Sequence, residues 1–161
     1  MTSALGFWPV SPSRGWRADD LDHLPTEGPN GERMRYELID GALYIMSPVR
    51  RFHARTNRTI PTVLNTLLPA GWEAEQERTV RFGDRTQVVP DIVVSRAEVL
   101  NDKRRRYLTP DEIPLVIEVV SPESKTRDRK LKPARYAEAG IPHFWRIEPA
   151  GVGGQSKDQE P

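Results

Sequence analysis

A chain of 161 residues without cysteine is sized for one domain, and it excludes a disulfide scaffold, a thiol nucleophile, a zinc finger and an iron–sulfur centre. Its 24 lysines and arginines against 23 aspartates and glutamates leave a net charge of +1, so any nucleic-acid contact must come from a local patch rather than bulk charge. Hydrophobic residues make up 37% and the longest apolar run, from Leu115 to Val120, is far too short to cross a bilayer, which excludes membrane transport. Met1 to Val10 lacks the basic flank and apolar core of a secretory signal, so the cytoplasm is the expected compartment.

Residues 1–18 show no period of either kind and are expected as an irregular segment from which Phe7, Trp8 and Trp16 pack on a domain spanning 19–149. The Gly-rich, polar tail 150–161 is expected to be disordered. Asp19 to Leu24 reads as a short acid-capped helix with Leu21 and Leu24 inward. Arg35 to Met46 holds two alternating runs meeting at Asp40-Gly41, which predicts a β-hairpin. From Val49 to Leu68, Phe52, Ile60, Val63, Leu64, Leu67 and Leu68 recur at helical spacing and predict a long helix kinked at Pro61. Trp72 to Phe82 reads as one or two strands ending at Gly83-Asp84. Val88 to Ser95 and Leu115 to Val120 are β-branched runs without polar alternation, expected as strands buried on both faces. A second helix covers Ser124 to Ala139, with Pro133 starting or kinking its last turns and Gly140 stopping it, and His143 to Ile147 is a last strand. From Val49 the order is helix, three strands, helix, strand. That order predicts an α/β (α+β) fold, a mixed sheet flanked by helices with an N-terminal hairpin.

Two acidic residues interrupt the two most apolar strands. Asp91 follows Pro90 and opens Ile92-Val93-Val94, while Glu118 sits between Ile117 and Val119. On neighbouring strands their repulsion would protonate one unless a cation joined them, and Mg²⁺ suits such a pair because it takes hard oxygen ligands, water and phosphate. The alternative has Asp91 capping a turn and Glu118 paired with an arginine.

Glu37 in YELIDG, Ser47-Pro48, His53, Pro90-Asp91, Glu118 in IEVVSPES, the series Asp128, Lys132, Tyr136, and AGIPHFW occur in the order that resembles the Uma-type putative restriction endonuclease family, part of the PD-(D/E)XK nuclease superfamily. The resemblance covers about Asp20 to Glu148. It implies a metal-dependent endonuclease that hydrolyses DNA phosphodiester bonds with Mg²⁺ or Mn²⁺, with Asp91 as the PD aspartate and Glu118 as the first residue of the (D/E)XK element. Val120 stands where that element's lysine would be, and Lys132 matches a lysine moved to the following helix. Asp128, Lys132 and Tyr136 share one helix face by their spacing, whereas Lys130 points away; an exposed Asp128–Lys132 ion pair is the alternative. Glu37 is a supporting carboxylate or an exposed strand glutamate. His53 contacts phosphate or water, or simply packs; Tyr136 reads as core. Relatives continue with further strands where this chain ends in GVGGQSKDQEP, so an apolar edge at Phe144-Trp145 and a homodimer through it are expected.

Basic residues supply the substrate side: Lys103, Arg104, Arg105 and Arg106 between the acidic strands, and Lys125 and Arg127 after the second, expected to track a phosphate backbone or to be a solvated face. No helix-turn-helix or RNA-binding aromatic signature accompanies them. A non-catalytic nucleic-acid-binding or interaction protein derived from a nuclease fold is the competing reading, and a metal-stabilised structural domain a third.

Overall fold

Turn chemistry and apolar period set most of the element boundaries. The computed structural model describes residues 9–46, 51–121 and 125–148, with backbone alone for 51–53; Phe7, Trp8 and the tail 150–161 lie outside the described residues. The expected helix near Asp19 is a 3-10 helix, Ala18–His23, whose Asp20 carboxylate accepts the Arg17 amide at 2.8 Å. Trp16 packs there with Ala18, Leu21 and Leu38.

Strands β1 (Arg35–Ile39) and β2 (Ala42–Met46) form the predicted hairpin in register from Arg35↔Met46 to Ile39↔Ala42. Asp40 and Gly41 both take positive φ, 53° and 81°, the conformation that a two-residue turn matching strand twist demands. Helix α1 (Arg51–Leu67) carries Pro61 inside it and leads to β3 (Trp72–Gln76) and β4 (Val80–Arg81).

The run from Val88 to Ser95 is not one strand. It divides into the end of β5 (Gln87–Val88) and most of β6 (Ile92–Arg96), because Pro90 has no amide to give to a ladder and the chain changes sheets at Pro90-Asp91. A short helix α2 (Ala97–Leu100) and a long connection lead to β7 (Leu115–Val119). The second long helix opens into a π turn over Arg127–Leu131 and continues as α3 (Lys132–Glu138), before β8 (His143–Ile147).

There are two four-stranded sheets among the described residues, ordered β2-β1-β5-β4 and β3-β6-β7-β8. In the second, β3, β6 and β7 are antiparallel neighbours and β8 runs parallel to β7, so it is mixed and holds the predicted order of α1, three strands, α3 and a last strand. The first sheet is a finding beyond the expected hairpin: β5 and β4 extend it. Ala74, Ile92, Val94 and Ile117 pack under Ile60 and Leu64 of α1 and Leu68 just after it. On the other face Val93 and Val116 share a core with Ile39, Val80 and Val88 of the first sheet and Tyr136 of α3. β6 and β7 are therefore buried on both sides, which is why their sequences show no polar alternation. α3 closes on Gly140 (φ 77°), with the Ile141 amide donating to the Tyr136 carbonyl at 3.0 Å and the two side chains packed in the same core.

Candidate functional site

Antiparallel pairing of Ile92 with Ile117 brings Asp91, just before β6, beside Glu118 near the end of β7. Asp91 is half-buried; its Oδ2 accepts the Val119 amide at 2.7 Å and its Oδ1 accepts Asn57 Nδ2 of α1 at 3.1 Å. Glu118 is 1% exposed and Glu37, from the middle of β1, is 0% exposed, so Glu37 is not the exposed strand glutamate that its neighbourhood allowed. The Val89 amide donates to Glu37 Oε1 at 3.0 Å, tying the end of β5 to β1.

Lys132 enters this group from α3 and is 2% exposed. Its Nζ lies 2.7 Å from Glu37 Oε1, 3.0 Å from Glu118 Oε1 and 3.7 Å from Asp128 Oδ1. The Asp128–Lys132 pair is thus buried, not a surface pair. Tyr136 O–H donates to Glu118 Oε1 while its ring packs against Phe82 and Phe144, so a core residue also orients a site carboxylate. Val120 is buried and holds β8 through its amide, which donates to the Ile147 carbonyl, so no lysine reaches the site from this position.

Four carboxylates crowd one ammonium here. Burial pushes Glu118 well above the usual carboxylate range; Lys132 opposes this, and Asp91, Asp128 and Glu37 reinforce it. Burial alone would lower Lys132, but the surrounding carboxylates outweigh it and hold the ammonium charged. Glu118 accordingly keeps a proton to higher pH than an ordinary carboxyl does. Glu37 Oε2 is buried without a hydrogen bond, with Arg127 Nε 3.8 Å away. Hard oxygens in excess over cations, one of them bare, fit a small dication such as Mg²⁺. Among the described residues no group of three or more acidic or imidazole side chains is arranged to hold a metal ion, the carboxylates around Lys132 being turned to its ammonium, so a dication would have Asp91 and Glu118 as its protein ligands.

The remaining candidates divide. Arg127, expected on the nucleic-acid side, is turned toward Glu37 and over the Tyr44 ring, 5.4 Å from its centroid. Lys125 is exposed at the start of that helix. The connection bearing Lys103, Arg104, Arg105 and Arg106 leaves β6 at Arg96 and enters β7 at Leu115, the end of the sheet opposite Asp91 and Glu118. Arg104 and Arg105 pair with Asp102, Arg105 also with Glu112, and Arg106 with Asp22 at 3.1 Å. The fold does not bring this run to the carboxylates. The side chain of His53 lies outside the described residues. Asn57 went unmarked in the sequence, although a polar residue on the same helical stripe as Ile60 and Leu64 was a signal.

The family model of Uma2, described as "putative restriction endonuclease", matches residues 18–152. Among solved structures, the chain is similar to a putative nuclease belonging to DUF820 from Anabaena variabilis, with a TM-score of 0.64 and 20% identity over 87% of this chain and 74% of that one. At that identity the likeness establishes a shared fold. No curated protein matches the sequence.

Proposed function

Because the chain belongs to the Uma2 family, we propose that it is a metal-dependent endonuclease that hydrolyses DNA phosphodiester bonds with Mg²⁺ or Mn²⁺ in the cytoplasm. The observation that carries this reading is the buried Lys132 ammonium placed 3.0 Å from Glu118, next to Asp91. When bound between Asp91 and Glu118, a dication would polarise the scissile phosphate and acidify water.

The chain's own groups do the rest. Asp91, fixed by the Val119 amide and Asn57, and Glu118, fixed by Tyr136 O–H, supply preset oxygens. Lys132 Nζ, charged and buried beside Glu118, supplies the positive charge that offsets charge developing on the phosphoryl oxygens. Asp128 and Glu37 hold that ammonium in place. Lys125, exposed, and Arg127, turned inward toward Glu37, lie on the helix that carries Lys132, and Lys125 is the cation of the two that is free to meet a phosphate backbone.

The direct Lys132–Glu118 contact also suits a second reading, a non-catalytic nucleic-acid-binding or interaction domain in which the cluster is only structural. Plasmid DNA incubated with purified protein in Mg²⁺, Mn²⁺ or EDTA separates the two. Metal-dependent nicking that falls by orders of magnitude in Asp91→Asn and Glu118→Gln, and in Lys132→Met but not Lys130→Met, is the expected result. Undiminished cleavage by both carboxylate variants, or none by the wild type with either metal, rejects the endonuclease.

A further inference from the structure

α1 reaches the site through Asn57, which is 4% exposed. Its Nδ2 donates to Asp91 Oδ1 at 3.1 Å, while the opposite carboxylate oxygen takes the Val119 amide at 2.7 Å. Asp91 is therefore gripped from the helix on one side and from the neighbouring strand on the other. Only half of the Asn57 amide is used: its Oδ1 is buried and has no hydrogen-bond partner. A bare buried acceptor is unfavourable unless another state of the protein fills it. Four residues on, Pro61 has no amide to give to the Asn57 carbonyl, so the helical ladder is interrupted at the turn that meets Asp91.

Resting on the metal-dependent reading above, we propose that Asn57 is a positioning residue of the cation site. Nδ2 holds the Asp91 carboxylate in the orientation that faces Glu118, and Oδ1 accepts a hydrogen bond from water that a hydrated dication brings into the site. Outer partners of this kind orient the ligands that touch a metal, and their loss typically weakens metal binding about 10–100-fold. A leucine at 57 would lose both functions and yet fill the same space under the sheet.

The test is Mn²⁺ binding to the whole chain measured by electron paramagnetic resonance, with Asn57→Leu, Asn57→Ala and Asp91→Asn beside the wild type. Wild type should bind and Asp91→Asn should not; equal binding by these two, or none by the wild type, removes the carboxylate site itself. With that contrast present, both Asn57 variants should bind about 10–100-fold more weakly and show an altered Mn²⁺ line shape. Their metal-free melting temperatures should stay close to wild type, since the lost bond to Asp91 is offset by removal of the bare oxygen. Wild-type Mn²⁺ affinity in folded Asn57 variants overturns the inference while leaving Asp91 and Glu118 standing, and so does a fall in metal-free stability with no change in affinity. Asn57→Ala leaves room for water and serves if the leucine variant does not fold.

Discussion

Lys132 is worth more to this fold than a surface lysine. Removing one partner of a buried ion cluster leaves carboxylates uncompensated at a cost of about 3–5 kcal/mol, and here protonation of Glu118 gives part of that back. Lys132→Met should therefore lower the melting temperature as well as activity, so its cleavage must be assayed well below the variant's own transition. The raised Glu118 pKa makes stability depend on pH with a definite sign. Below its ordinary 4.5 both the folded and unfolded chains hold the Glu118 proton; above it the unfolded chain releases the proton first, so stability declines as pH rises through the higher native value. Asp20, held at about 2 by its hydrogen bond to Arg14, has the opposite slope, confined to more acid solution. Lys132 remains charged throughout and adds no slope there. The expected outcome is a metal-free melting temperature that falls from pH 4.5 upward, a Mg²⁺-induced gain that grows over the same interval, and in Glu118→Gln a shallower fall, left by burial of Glu75, with no growth of the Mg²⁺ gain. Calorimetric melts across that interval, with and without Mg²⁺, check all three; a flat profile in the wild type would remove the proton from Glu118.

At the scale of the element, the π turn before α3 has a geometric use. Four residues of α-helix overshoot a full turn by about 40°, so Asp128, Lys132 and Tyr136 would drift apart along a regular helix. The wider i→i+5 turn over Arg127–Leu131 takes part of that drift back, and all three side chains are buried toward β7. Pro133 favours the wide turn, since it lacks the amide that an α register would send to the Arg129 carbonyl. Pro133→Ala should raise the melting temperature, helix propensity favouring alanine by up to about 3 kcal/mol, while reducing cleavage as Asp128 rotates away from Lys132. A variant as active as the wild type would make the π turn a packing accommodation only. Spacing by four had marked these residues as one face, but it looks the same for α and π turns, so the π register itself was illegible. The Asp40-Gly41 hairpin was legible because φ above zero at two successive residues leaves few residue types to choose from. The reading of Trp72 to Phe82 as one or two strands resolves into β3 and the two-residue β4, whereas β5 was not legible as a separate strand, because a period cannot be read from two positions.

Over the whole molecule, Glu37 enters the cluster from one sheet and Glu118 from the other, with α3 carrying Lys132 between them. Asp91 and Glu118 stood out in the sequence because charge interrupted apolar strands. Glu37, some fifty residues upstream of Asp91, was a supporting candidate by resemblance, and what brings it to the cluster is β5 returning to β1, a pairing that rests on Leu38↔Gln87 and left no mark in composition. The same sheet order leaves β8 at an edge among the described residues, with Trp145 48% exposed and Phe144 and Ile147 half-buried beside it. An edge strand offers unpaired amides and carbonyls along one side, and an apolar side chain next to them favours pairing with another chain. Arg146 does little to blunt that edge, since its guanidinium is tied to Glu148 at 2.8 Å. We expect concentration-dependent association of the chain through β8, read as a rising mean mass in light scattering. Trp145→Lys places an unpaired charge on the edge and should return the protein to the monomer without disturbing Mn²⁺ binding, because Trp145 is 48% exposed and the hydrogen bonds and ion pairs described for Asp91, Glu118 and Lys132 run to other residues. A wild type that stays monomeric over a wide concentration range, or a lysine variant that associates equally well, rules out β8 as the contact.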